Sequence, residues 1–207
     1  MDPLGTLISW IAEYGLIGLI ALGVAERFVP VLPSYGVLVA IGIAAAGGTW
    51  SVEAALIATV VGSLAGCLSV YWLALMLGEV RAYRMLHWSG RLSGMSVARM
   101  DGMVSSYHAH QRLFAFGCQL VPTVRLISPV FAGFFRADAR AFAIATMAGI
   151  VVWNSLFIGV GHVAAAIAPT STASTLAINV LFVLIATEVT LGLGWRWFSR
   201  RAARRPT

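Results

Sequence analysis

Two short stretches hold the residue types capable of chemistry. The first is Glu26-Arg27 followed by Pro30, Pro33 and Ser34, and the second is Pro122, Arg125, Ser128 and Pro129. Each stands in a run otherwise apolar enough for a bilayer. Proline removes a backbone donor and breaks a helix, and hydrocarbon offers no water to satisfy the carbonyls it frees. An arginine at the centre of a membrane helix costs at least about 2.5–3.5 kcal/mol, so by default it faces a cavity, a partner or a ligand. Beside a broken helix it adds a bidentate fork to exposed backbone N–H groups, the chemistry that grips phosphate oxygens. Arg125 is therefore expected to hold an anionic headgroup, with pairing to Glu26 as the alternative. Glu26, at a helix end beside a proline break, is placed to pair Arg125, take up a proton or repel anions until protonated; its alternative is an interfacial charge paired with the adjacent Arg27. Ser128-Pro129 reads as an N-cap followed by proline at the first helical position.

The rest of the chain must position these residues in hydrocarbon. It has 207 residues, of which 59% are hydrophobic and 11% charged, and its mean hydropathy is +0.87. That balance belongs to an integral membrane protein, and the length to one domain, 1–207. The N-terminal Met-Asp-Pro has no basic run before its apolar segment, so the first segment is expected to be retained. All fourteen positive side chains are arginine. Cys67 and Cys118 lie in apolar runs and read as small buried hydrophobes.

Spanning helices are expected over Leu4–Ala25, Ser51–Leu77, Ala141–Ala168 and about Thr175–Trp195. Ser51 is a plausible N-cap, and Gly62 and Gly66 allow close approach of another helix, with a homo-oligomer as one possible use. Between them, residues 78–112 carry five arginines among Trp88, Met95, Met100 and Met103. This connector reads as an amphipathic segment on an anionic membrane surface or as a solvated link. The tail, 196–207, is rich in arginine.

Arginine placement sets the expected topology, because short cytoplasmic loops collect positive charge. If every apolar stretch spanned, the basic connector and the basic tail would fall on opposite sides. If about 113–135 dips in and returns, they share the cytoplasmic side, and about 28–48 is then expected to re-enter from the opposite face. Both termini become cytoplasmic. A weak repeat agrees: Pro30-Val-Leu-Pro33 precedes Ala58-Thr-Val-Val-Gly62 as Pro122-Thr-Val-Arg125 precedes Ala145-Thr-Met-Ala-Gly149. The expected fold is an all-α integral membrane protein, an inverted repeat of two re-entrant broken-helix hairpins with about four spanning helices.

Glu188, inside the last apolar run, and Asn154, beside Trp153, read as cavity-lining or packing groups. His108-x-His110 lacks further ligands for a metal set, so neither a metal nor a cofactor is expected. With no hydrolytic triad, phosphate-binding glycine loop or redox motif, the chain does not read as an enzyme. Its arginines flank membrane spans, which argues for lipid rather than nucleic acid.

These residues resemble the DedA family, also described as the VTT or SNARE-associated Golgi protein domain. The likeness is carried by Glu26 with Pro30-Val-Leu-Pro33-Ser34, by Gly62, Gly66, Tyr71 and Gly78, and by Phe116, Pro122, Val124, Arg125, Ala132-Gly133, Phe142, Gly149 and Trp153. The resemblance implies translocation of lipids, notably undecaprenyl phosphate, across the bacterial cytoplasmic membrane, with some members dependent on the proton gradient. Two departures stand out: many members carry an acid where this chain has Tyr35, and an arginine where it has Gln119. The two positions are expected to face each other, since a buried charge without its partner costs several kcal/mol. The implied substrate site comprises Arg125, Glu26, Arg27, Pro30, Pro33, Ser34, Tyr35, Gln119, Pro122 and Ser128. Alternative readings are a proton-coupled transporter of small ions using Glu26, and a non-transporting membrane scaffold acting through the connector.

Overall fold

Apolar runs punctuated by glycine and proline leave the backbone one economical choice in hydrocarbon, the helix, which satisfies its own polar groups. The computed structural model describes residues 3–29, 34–77, 110–121 and 124–167, with isolated positions 175, 178, 179 and 182. These residues form seven helices: α1 (Pro3–Glu13), α2 (Gly15–Phe28), α3 (Ser34–Ala46), α4 (Val52–Leu77), α5 (Gln111–Gln119), α6 (Val124–Phe134) and α7 (Ala139–Ile167). Among them α4, with 26 residues, and α7, with 29, are long and apolar enough to cross a membrane. At about 1.5 Å per residue both exceed the roughly 30 Å of a hydrocarbon core.

The ends of these helices follow from local chemistry. Ser51 caps α4 as expected, its Oγ accepting the Ala54 N–H at 3.1 Å. Asp138 caps α7 through Oδ1, which accepts the Ala141 N–H at 2.7 Å. α3 and α6 end alike. Thr49 N–H returns to the Ala44 carbonyl and Ala137 N–H to the Ala132 carbonyl, each across a residue of positive φ, Gly48 (82°) and Arg136 (48°). This is the Schellman arrangement, here repeated in the two halves of the chain.

The packing repeats as well. α2 lies on α4, and α5 on α7; α3 crosses to α7, and α6 crosses to α4. Each half is thus a pair of short legs and a long helix, with the first leg on its own long helix and the second on that of the other half. Small residues permit these contacts. A side chain at Gly62 would collide with the Ile20 carbonyl of α2, and one at Gly66 would stand 2.8 Å from Arg27 Cγ. The close approach expected of these glycines is therefore made within the chain.

Two expectations are corrected. The single span drawn from Leu4 to Ala25 is two helices, because Gly15 adopts a left-handed φ of 57°, a conformation glycine enters without steric cost. α1, with 11 residues, is then too short to span. Ser128-Pro129 does not start a helix: α6 begins at Val124 and carries Pro129 inside. Residues 78–109 of the connector expected over 78–112, the last apolar run with Glu188, the tail 196–207, and Pro30, Pro33 and Pro122 lie outside the described residues, as does His108.

The apolar core forms two clusters. The larger joins α3 to α7, α1 and α2, with Leu19, Val39, Ile41, Phe157 and Ile158 almost fully enclosed. The smaller centres on Tyr71, which stacks on Phe142 at 5.3 Å and donates its O–H to the Ala137 carbonyl at 2.8 Å.

Candidate functional site

Where the two halves meet, polar side chains are enclosed in this apolar body. Arg125, one residue into α6, is 1% exposed, and Glu26 and Arg27, near the end of α2, are buried with it. Arg125 Nη2 donates to Glu26 Oε1 at 2.6 Å, a buried ion pair. Its Nη1 reaches Ser34 Oγ at 3.2 Å, at the start of α3. One guanidinium thus bridges both legs of the first half from the break of the second. Behind it the Trp153 ring lies 5.0 Å from the guanidinium carbon, within cation–π range.

Arg27 points the other way. Its Nη1 donates to Gln119 Oε1 at 3.3 Å and to the Arg125 carbonyl at 3.4 Å. The second contact has a covalent cause: Pro129 stands four residues after Arg125 and has no N–H, so this carbonyl loses its intrahelical donor. Arg27 supplies a replacement from another helix. Its stem is seated over Gly66, as that of Gln119 is over Gly149, where an added Cβ would lie 2.6 Å from Gln119 Cβ.

The cluster carries two cations and one anion, and its unsatisfied atoms are mostly donors. Arg27 Nε and Nη2, Gln119 Nε2, Arg125 Nε and Trp153 Nε1 are buried without a partner. Only Asn154 Oδ1, of the buried unpartnered atoms among the described residues, is purely an acceptor; Ser63 and Thr146 contribute hydroxyls. Asn154 itself donates to Thr59 Oγ1 at 3.1 Å, tying α7 to α4. A buried donor left unmade costs about 1–3 kcal/mol, so a buried cluster with surplus positive charge and unpartnered N–H groups is electrostatically suited to an oxyanion.

Of the residues singled out from sequence, the fold brings together Glu26, Arg27, Ser34, Gln119 and Arg125. Ser128 is buried on α6 nearby. Tyr35 packs its ring against Phe157, centroids 6.3 Å apart, whereas the contacts of Gln119 are with Arg27 and Gly149. Glu26 pairs with Arg125 and not with its neighbour Arg27. Trp153 was not assigned a role from sequence, although a tryptophan inside a spanning run, away from the interfaces where that residue collects, was a signal. Pro129 following Arg125 by four residues was another.

The family profile described as the VTT domain matches residues 29–163. Undecaprenyl phosphate transporter A of Staphylococcus aureus is 23% identical over 151 residues, 72% of this chain and 73% of the relative. The protein of the same name in Bacillus subtilis is 26% identical over 162 residues, 76% of this chain and 78% of the relative. An alkaline phosphatase-like protein of Lactococcus lactis subsp. cremoris is 25% identical over 158 residues, 75% of this chain and 73% of the relative. No solved structure is a significant match. The profile spans well over half of the chain, from the break after α2 through most of α7, and the chain belongs to the VTT-domain, or DedA, family of membrane proteins.

Proposed function

We propose that this protein translocates an anionic lipid across the bacterial cytoplasmic membrane, with undecaprenyl phosphate or another lipid phosphate as substrate. The observation that carries the reading is the buried cluster of Glu26, Arg27 and Arg125, with its surplus positive charge and unpartnered N–H groups. Two relatives named as undecaprenyl phosphate transporters support the substrate class. In this reading the two pairs of short legs re-enter the membrane from opposite faces and meet near its midplane, a plan recurrent among transporters. Both termini are cytoplasmic. The legs deliver the fixed charge that a phosphate needs in place of water.

The residues divide the work. Glu26 neutralises Arg125 in the empty site and holds it against both legs of the first half. Arg27 brings the charge that an incoming phosphate meets. Arg125 Nε and Trp153 Nε1 supply further donors as the phosphate enters. In this reading Pro30, Pro33 and Pro122 belong to the substrate site, and Ser34, Gln119, Ser128 and Tyr35 complete it. Nothing in this scheme breaks a covalent bond, so the protein acts as a transporter.

The test uses liposomes loaded with a polyprenyl phosphate and a membrane-impermeant phosphatase outside. With the wild-type protein the hydrolysed pool is expected to grow from the outer-leaflet share towards the whole. Arg27→Gln and Arg125→Ala, checked for folding by circular dichroism, are expected to leave it at the outer-leaflet share. A wild-type protein that leaves the inner pool untouched refutes the function, and full activity in both variants refutes the mechanism.

A further inference from the structure

The buried cluster can discriminate among anions by the amount of their charge as well as by its sign. Among the described residues, the charged side chains withdrawn from water are Glu26, Arg27 and Arg125, two cations and one anion with a sum of +1. The other described helices that reach them bring neutral groups. α3 contributes the Ser34 hydroxyl, α5 the Gln119 amide and α7 the Trp153 indole. α4 contributes the Cys67 thiol, fully buried and within electrostatic reach of all three charges.

The surplus falls on Arg27. Glu26 is committed to Arg125 at 2.6 Å, whereas Arg27 Nη1 meets two neutral oxygens, Gln119 Oε1 and the Arg125 carbonyl, and its Nε and Nη2 are buried without a partner. Dipoles alone offset a buried charge poorly, so one negative charge brought beside Arg27 relieves the site. A second negative charge leaves the same imbalance with its sign reversed. Coulomb energies are several times larger in such a body than in water, which makes this count of charges a selector.

We infer that the site takes a head of one negative charge, so that a phosphate monoester is accepted as its singly protonated form, a phosphodiester is accepted as it stands, and the dianion is refused. The inference rests on the proposed function and adds the charge state of the head. A phosphate monoester loses its second proton near roughly pH 6. The accepted form is then the minor one at neutral pH, about a tenth of the total. Its proton stays on the phosphate oxygen, so each monoester moved carries one proton with it and no side chain of the protein has to titrate.

The probes are tritiated hexadecyl phosphate and, as the diester, tritiated hexadecyl methyl phosphate. They are bound to the full-length protein in neutral detergent micelles from about pH 5 to about pH 8 and counted by scintillation proximity, with the second pKa of the monoester read by phosphorus NMR in the same micelles. Monoester affinity is expected to be level below that pKa and to fall about tenfold per pH unit above it, while diester affinity stays level throughout. Gln119→Glu sets a carboxylate against Arg27 and brings the sum to zero; with both arginines paired it is expected to fold and to lose affinity for both esters. Glu26→Gln raises the sum by one, and in the folded variant monoester affinity is expected to hold or rise above the pKa. Binding of neither ester by the wild type, monoester affinity that climbs above the pKa, diester affinity that falls in parallel with it, or wild-type profiles in the two variants would each overturn the inference, whatever the phosphatase assay shows. The expected profiles with no translocation by the wild type in the phosphatase assay would instead refute the proposed function and keep the charge rule.

Discussion

Removing the carboxylate of Glu26 is the sharpest perturbation available, because the fold makes its cost asymmetric. Arg125 is 1% exposed and its Nη2 meets Glu26 Oε1 at 2.6 Å. Breaking one side of a buried pair costs about 3–5 kcal/mol, since the remaining charge is left uncompensated. In Glu26→Leu two buried guanidinia are left without an anion, so the full range is expected. In Arg125→Leu the orphan is Glu26, and Arg27 next to it has Nε and Nη2 unpartnered. It can turn to Glu26, and the loss falls below that range. The double variant removes both charges and should come within about 1 kcal/mol of the wild type, as hydrophobic replacement of buried pairs usually does. Equilibrium unfolding in mixed micelles, followed by circular dichroism, reads all four proteins as a double-mutant cycle. Equal losses in the two single variants would refute the role given to Arg27 as a spare cation, and additive losses in the double would refute the pair itself.

Pro129→Ala returns an N–H to the Arg125 carbonyl, so thermal unfolding should shift upward, by at most the roughly 3 kcal/mol that proline costs inside a helix. Arg27 loses an acceptor, and translocation in the phosphatase assay should fall. Tyr71→Phe removes the hydrogen bond to the Ala137 carbonyl and should cost about 0.5–1.5 kcal/mol in micelle unfolding, with no effect on headgroup selectivity. Gln119→Arg places a second cation against Arg27, now 3.3 Å from Gln119 Oε1; it should destabilise the protein, and the exchange Arg27→Gln with Gln119→Arg should recover both folding and translocation.

The long helices and the two polar breaks were legible because their signals are local. Ser51 marks the start of α4, and Gly62 and Gly66 foretold a close crossing. An arginine amid apolar residues flagged Arg125 without any contact being known. The break at Gly15 was hidden, since nothing in an unbroken apolar run says which glycine will take a positive φ; only the return of α1 across α2 and α3 reveals it. Pro129 was misjudged for a related reason. Ser-Pro is a common helix start, and what overrides it here is a carbonyl acceptor satisfied from α2, which no local pattern records.

The fate of the position held by Gln119 depends on the symmetry of the fold. The resemblance put a cation there in many relatives, and its loss was expected to be matched at Tyr35. Gln119 instead meets Arg27, and both sit over a glycine of their own long helix, Gly149 and Gly66. In the proposed inverted repeat, two equivalent residues can touch only near the axis that would relate the halves. At such a point a charge belongs to neither half: an arginine supplied from position 27 reaches the same space as one supplied from 119. Arginines at both would repel each other at close range, with Glu26 already committed to Arg125. The constraint therefore falls on the total charge at the axis rather than on either position. Reading the repeat register before the motif would have paired 27 with 119 directly, because the offset that carries Pro30 onto Pro122 also carries Arg27 onto Gln119.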